Sequence, residues 1–204
     1  MKKIAVFASG SGSNFQAILD SIQSVGLDAS IQLLVCDQPG AFVIERAKLS
    51  SIRTFVFTAK DYRSKEDYEK EISLQLKECG VELIVLAGYM RLIGPTLLKE
   101  YEGRIINIHP SLLPDFPGKD AIGQAIAAEA KWSGVTIHYV DEGMDTGPII
   151  VQERVRLEEN ETRESLQRKI QTMEHKLYPA ILQMLLTKGD GTNDEETCTD
   201  KCFR

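Results

Sequence analysis

Short apolar runs, separated by stretches with helical periodicity, constrain this chain more than any other feature. Ile4-Ala5-Val6-Phe7-Ala8 is the first run. A strand that is apolar on both faces is what a parallel sheet covered on both sides requires. Ser9-Gly10-Ser11-Gly12-Ser13-Asn14 follows, and then Phe15, Ile18, Leu19 and Ile22 recur at the i, i+3, i+4, i+7 spacing of a helix. The alternation repeats. Ile31 to Cys36 reads as a strand, Ala41 to Leu49 as a helix and Ile52 to Phe57 as a third strand. Ser64 to Asp67 is close to a capping box and opens a helix striped by Tyr68, Ile72, Leu76 and Cys79. Leu83-Ile84-Val85-Leu86, within Val81 to Ala87, is the fourth buried strand. The order β-α-β-α-β-α-β with right-handed crossovers gives a doubly wound parallel sheet.

The second half changes pattern. Arg104-Ile105-Ile106 reads as a strand running into Asn107-Ile108-His109-Pro110, and Asp120 to Ala130 as a helix. Val135 to Val140 alternates like a half-buried strand, and Ile149 to Leu157 follows. The loop between them, Asp141 to Pro148, is too short for a crossover, so these two strands are expected to be antiparallel. A long helix spans Thr162 to Leu186, with a core stripe of Leu166, Ile170, Met173, Leu177, Ile181 and Met184. Gln167, Gln171, Glu174 and Tyr178 form a polar stripe beside it, a kind of face that is ordinarily solvated. The expectation is therefore one α/β domain over residues 1–188, its sheet mostly parallel with antiparallel strands in the C-terminal part. Residues 189–204 are polar and acidic and read as a disordered tail, with Cys198 and Cys202 left open to metal or disulfide chemistry.

Composition limits the function classes. The net charge is -6 over 204 residues, which disfavours a nucleic-acid partner but not small anions in a local pocket. No apolar run approaches the ~18 residues of a membrane span. Met1-Lys2-Lys3-Ile4 leads straight into a strand rather than a signal peptide. Cys36 and Cys79 sit in apolar patterns and are expected to be reduced core thiols of a cytoplasmic protein. The three histidines, His109, His138 and His175, have no ligand spacing, so no metal is expected.

The chemistry is expected at the strands' carboxyl ends, where open α/β sheets bind ligands. Asn107 and His109 project from one strand face, roughly 6.6 Å apart along it. Pro110 has no N–H and ends the ladder. The Ser9–Asn14 turn aims backbone N–H groups at the start of a helix, where an anion can sit. Phe15 stands where a dinucleotide fingerprint needs a third glycine, so a single phosphate fits better. The same turn can equally be a tight connection capped by Ser13. Gly88 to Pro95 surrounds Arg91 with apolar side chains, which suits either a flat heteroaromatic ligand or packing on its own helix.

Four strand-end segments together carry a resemblance: Gly-Ser-Gly-Ser-Asn (10–14), Met-Arg-Leu-Ile (90–93), Asn-x-His-Pro-Ser-Leu-Leu-Pro (107–114) and Asp-Glu-Gly-Met-Asp-Thr-Gly-Pro (141–148). The chain resembles the folate-dependent formyltransferase family from Lys2 to about Leu186, and the fold implied is Rossmann-like. The N-terminal loop and Gln171-Thr172-Met173-Glu174-His175 point within it to the branch acting in purine synthesis. The resemblance implies that the amine of 5'-phosphoribosylglycinamide attacks the formyl carbon of 10-formyltetrahydrofolate, a co-substrate rather than a tightly bound cofactor. It implies that Gly12, Ser13 and Asn14 hold the substrate phosphate, with Gln171 and Glu174 facing the nucleotide and Glu174 on the ribose hydroxyls. Met90, Arg91, Leu92 and Ile93 would enclose the pterin with Asn107 and the loop Val140, Asp141, Glu142, Gly143, Met144 and Asp145. Lys65 matches a basic position near the folate. Lys119-Asp120-Ala121 departs from a histidine-containing stretch found in some members, so no histidine there can assist.

Attack by an amine builds an oxyanion, which the Asn107 amide can stabilise. His109 can donate too, if a carboxylate such as Asp145 favours its charged form. Asp145, directly or through a water, is the candidate to carry the amine's proton to the folate nitrogen. No covalent intermediate is required. Rival readings are formyl transfer to an initiator aminoacyl-tRNA or an amino sugar, hydrolysis of formyltetrahydrofolate, and a nucleotide-binding module without catalysis. The first three are expected to carry an additional domain, and a binding module has no need of both His109 and Asp145.

Overall fold

Seven strands form one sheet in the order β3-β2-β1-β4-β5-β6-β7. The computed structural model describes residues 1–24 and 26–188. The strands are β1 (Lys2–Phe7), β2 (Ala29–Cys36), β3 (Thr54–Val56), β4 (Leu83–Leu86), β5 (Ile105–His109), β6 (Trp132–Tyr139) and β7 (Ile149–Arg156). The helices are α1 (Ser13–Ser24), α2 (Phe42–Leu49), α3 (Lys65–Glu78), α4 (Pro95–Glu100), α5 (Ala121–Ala127) and α6 (Arg163–Lys188). Strands β1 to β5 pair in parallel, β6 runs antiparallel to β5, and β7 antiparallel to β6. This is the doubly wound, mostly parallel sheet with antiparallel C-terminal strands.

The pleat of the strands builds two cores. Ile4 and Val6 face one way and pack with Leu34, Val85, Ile106 and side chains of α1, α2 and α6. Ala5 and Phe7 face the other way, into Leu33, Val35, Ile84, Ile105 and side chains of α3 and α4. Both sets are almost wholly buried. Each fully buried Ile, Leu or Phe contributes about 1.5–3 kcal/mol. The apolar runs of the sequence are continuous because both faces of their strands are covered. The strand order reverses between β1 and β4, so the loops after these two strands diverge and leave a crevice at their carboxyl ends.

Several elements differ from the sequence expectation. The third strand is only Thr54–Val56, at the sheet edge, where a ladder forms on one side alone. Helix α4 was not anticipated. Pro95 opens it at a first-turn position that needs no N–H, and buried Glu69 of α3 accepts the Gly94 N–H at 2.6 Å. Cys36 is buried, and burial pushes its thiol pKa up, whereas Cys79 is half-buried at the C-cap of α3 rather than in the core. The largest correction concerns α6. Its buried line is Leu166, Ile170, Glu174, Tyr178, Leu182 and Leu186, one residue in every four, so it drifts around a helix of 3.6 residues per turn. Met173, Leu177 and Ile181 are only half-buried beside it. Glu174 and Tyr178 belong to the buried line, not to a solvated face, because each has polar partners inside. The Tyr178 hydroxyl donates to the Leu86 carbonyl at 2.9 Å, with the Ile106 carbonyl at 3.3 Å, and so bridges β4 and β5. The expectations for 189–204, with Cys198 and Cys202, lie outside the described residues.

Candidate active site

The carboxyl ends of β1, β4 and β5 open into a cavity of about 800 Å³, a size that suits extended small ligands. Asn107 and His109 project into it from β5, while the alternating Ile106 and Ile108 pack in the core. Asp145 comes from the β6–β7 loop and reaches across to both. Asp145 Oδ1 lies 3.4 Å from Asn107 Nδ2, and Oδ2 lies 3.4 Å from His109 Nδ1. The Gly118 N–H donates to the same Oδ2 at 2.7 Å. Asp145 adopts φ +58°, a left-handed conformation that a short polar side chain tolerates at small cost and that turns its carboxylate inward. Burial pulls the Asp145 carboxyl up, but donation from the Gly118 N–H and the nearby His109 ring outweigh it and hold the group below the usual carboxylate range. It is a carboxylate at neutral pH.

His138 completes the cluster and was missed by sequence reasoning. It lies opposite Asn107 in the antiparallel β5–β6 register. Its Nδ1 is 2.8 Å from the Tyr139 carbonyl, so that nitrogen carries the proton, and Nε2 accepts from Asn107 Nδ2 at 3.1 Å. His138 Nε2 also sits 3.6 Å from Asp145 Oδ1. The amide of Asn107 is therefore oriented by two acceptors. His109 Nε2 faces the Phe116 carbonyl at 2.9 Å, so both of its ring nitrogens face oxygen acceptors. A ring carrying protons on both nitrogens satisfies both.

At one end of the cavity lies the β1–α1 loop. Gly12, Ser13 and Asn14 line it, facing Gln171 and Glu174 of α6. The backbone N–H groups of Ser11 to Asn14 donate no hydrogen bond among the described residues, which leaves a cluster of donors at a helix start. Asn14 Nδ2 donates to Glu174 Oε2 at 3.0 Å, and the buried Asn14 Oδ1 has no partner. Burial pushes the Glu174 carboxyl up to about 7, against the donation from Asn14.

Met90, Arg91, Leu92 and Ile93 form the opposite wall with Val140, Asp141, Gly143 and Met144. Met90, Leu92 and Met144 are half or more exposed, an apolar rim suited to a flat ring. Glu142, in the same loop, is exposed and does not line the cavity. Lys65 does not line it either and stands beside Gly94. The two ends are tied by Ser9, whose hydroxyl donates to buried Asp37 at 2.5 Å and accepts the Met90 N–H at 2.9 Å. Asp37 also lies 3.7 Å from Arg91 Nη1, and Arg91 stacks over Tyr68. Lys119, Arg163 and Gln167 also line the cavity and were not assigned to the site from sequence. Among the described residues no group of three or more His, Cys, Asp or Glu side chains could hold a metal ion. No described helix is long and apolar enough to cross a membrane.

A family model described as formyl transferase matches residues 2–182. The phosphoribosylglycinamide formyltransferase of Bacillus subtilis (strain 168) is 56% identical over 186 residues, covering 91% of this chain and 95% of that protein. The human trifunctional purine biosynthetic protein adenosine-3 is 34% identical over 183 residues, and the match spans 18% of its length. The crystal structure of phosphoribosylglycinamide formyltransferase from Bacillus halodurans is 58% identical, covers 93% of this chain and 97% of its own, and superposes with a TM-score of 0.90. Glycinamide ribonucleotide transformylase 1 from Geobacillus kaustophilus, 60% identical with 91% and 99% coverage, gives 0.89. The chain belongs to the formyl transferase family.

Proposed function

We propose that this protein transfers the formyl group of 10-formyltetrahydrofolate to the amine of 5'-phosphoribosylglycinamide, giving the N-formyl ribonucleotide and tetrahydrofolate. The observation that carries the reading is one cavity with a loop of backbone N–H groups, unpartnered among the described residues, at one end, an apolar rim at the other, and Asn107, His109 and Asp145 between them. The B. subtilis relative, matched over nearly its full length, carries the name of this activity.

The amine nitrogen forms a bond to the formyl carbon, and the carbonyl electrons move onto oxygen. Asn107 keeps one N–H on His138 Nε2 and turns the other, whose contact to Asp145 is long at 3.4 Å, onto that oxyanion. A His109 carrying both protons gives additional positive charge, fixed between Phe116 and Asp145. The amine's proton passes to the Asp145 carboxylate, directly or through a water, and on to the folate nitrogen as the carbon–nitrogen bond to folate breaks. Gly12, Ser13 and Asn14 hold the phosphate, and Gln171 and Glu174 face the nucleotide, with Glu174 on the ribose hydroxyls. The Met90–Ile93 loop and the Val140–Asp145 loop hold the pterin. Lys65 stands outside the cavity wall, so its role on folate is confined to the anionic tail, and the Glu142 side chain takes no part in the pterin wall.

The test is formyl transfer followed by folate absorbance, with 5'-phosphoribosylglycinamide as acceptor and no acceptor as control. Acceptor-dependent turnover is expected. Folate deformylation at equal rate without acceptor would overturn the reading in favour of hydrolysis.

A further inference from the structure

The β1–α1 loop is gripped from behind by α2, whose Val43 and Arg46 do not line the cavity. The Val43 N–H donates to the Gly10 carbonyl at 3.1 Å, and Arg46 Nε donates to the Ser11 carbonyl at 2.9 Å. In a trans peptide, a C=O and the following N–H point in opposite directions. Two successive carbonyls drawn towards α2 therefore turn the N–H groups of Ser11 and Gly12 away from it. Both residues line the cavity, and neither N–H has a partner among the described residues. Gly12 at φ +72° supplies the left-handed residue that lets successive N–H groups converge on one anion. Asn14 adds a buried, unpartnered Oδ1 to the same wall.

Arg46 is itself held. Its Nη1 donates to Gln16 Oε1 at 3.0 Å, and its guanidinium lies 4.9 Å from the centre of the Phe42 ring. A planar guanidinium offers directed donors in a fixed fork, which a lysine cannot reproduce. Gly12 also lets the loop sit close against α2, since a Cβ there would lie 2.5 Å from Val43 Cγ2.

We infer that Arg46 is a positioning residue for the acceptor's phosphate. It turns the Ser11–Gly12 peptide so that the N–H meets a phosphate oxygen, and it places a positive charge behind the loop to offset the dianion. This rests on the nucleotide reading of the cavity given above.

The experiment compares kcat/KM for 5'-phosphoribosylglycinamide and for its dephosphorylated form, glycinamide riboside, in wild type, Arg46→Ala and Arg46→Lys. Arg46→Ala should lower kcat/KM for the phosphorylated acceptor about 10- to 100-fold, mainly through KM, as expected for charge-assisted contacts. Turnover of the riboside, which also reports that the variant is folded, should change less than about threefold. Arg46→Lys should recover part of the loss, since it keeps the charge without the directed fork. Equal losses on both acceptors, or none on the phosphorylated one, would overturn the inference. Should wild type formylate neither acceptor, the functional reading falls, and titration with inorganic phosphate decides the inference alone. Weaker phosphate binding by Arg46→Ala supports it, and unchanged binding overturns it.

Discussion

Glu174→Gln tests the most costly group in the cavity. Glu174 is 8% exposed, and burial lifts its carboxyl from 4.5 to about 7. The folded state thus holds a proton that the unfolded chain releases near its ordinary value. Below about pH 4.5 the carboxyl is neutral in both states and costs nothing. As pH rises from there the unfolded chain ionises first, so stability falls with pH until the folded group ionises near 7. At about 1.4 kcal/mol per pH unit, the cost reaches about 3 kcal/mol at pH 8. Glutamine has the same shape and no charge, and its oxygen can still accept from Asn14. Urea unfolding at pH 5, 6, 7 and 8 should show a wild-type decline across this window that is absent in the variant. The variant should be about 1–3 kcal/mol more stable at pH 8 and near wild type at pH 5. It should also be the poorer enzyme, with a raised KM for the nucleotide, because an amide is a weaker acceptor for ribose hydroxyls than a carboxylate. Parallel stability curves for the two proteins would refute the reasoning.

The remaining perturbations address the walls and the frame. Gly12→Val should abolish or weaken nucleotide binding by more than about tenfold in calorimetry while sparing folate, because its Cβ would lie 2.5 Å from Val43 Cγ2 at φ +72°. Ser9→Ala removes the hydroxyl joining Asp37 to the Met90 N–H and should raise KM for folate about 3- to 10-fold, with less effect on the nucleotide KM. Tyr178→Phe should cost about 1–2 kcal/mol in thermal or urea unfolding, since the carbonyls of Leu86 and Ile106 lose a buried donor.

The parallel half of the sheet was legible because strands buried on both faces write themselves as unbroken apolar runs, as Ile4–Ala8 and Leu83–Leu86 do. The positions of Asn107 and His109 on one face followed from the two-residue period of a strand. His138 was not legible, because its place beside Asn107 depends on the β5–β6 register, which side-chain alternation alone does not set. The contacts from the Phe116 carbonyl and the Gly118 N–H to His109 and Asp145 were hidden for a different reason. They need left-handed backbone at Phe116, a bulky residue for which local preference argues against it. In α6, counting only apolar residues selected Met173 and Leu177 and assigned Glu174 and Tyr178 to solvent. Their burial depends on partners brought from α1, β4 and β5, which no local pattern records.

The central claim is that the Asp145 carboxylate, fixed between Asn107, His109, His138 and Gly118, moves the proton of formyl transfer. Asp145→Asn keeps the shape of the side chain but cannot take a proton from an amine at neutral pH. The direct measurement is kcat of this variant at saturating substrates, with calorimetric affinities for both ligands measured in parallel. A fall in kcat of roughly 10²–10⁴ with affinities largely kept is the predicted result. A near-normal kcat, or a loss confined to binding, would contradict the account.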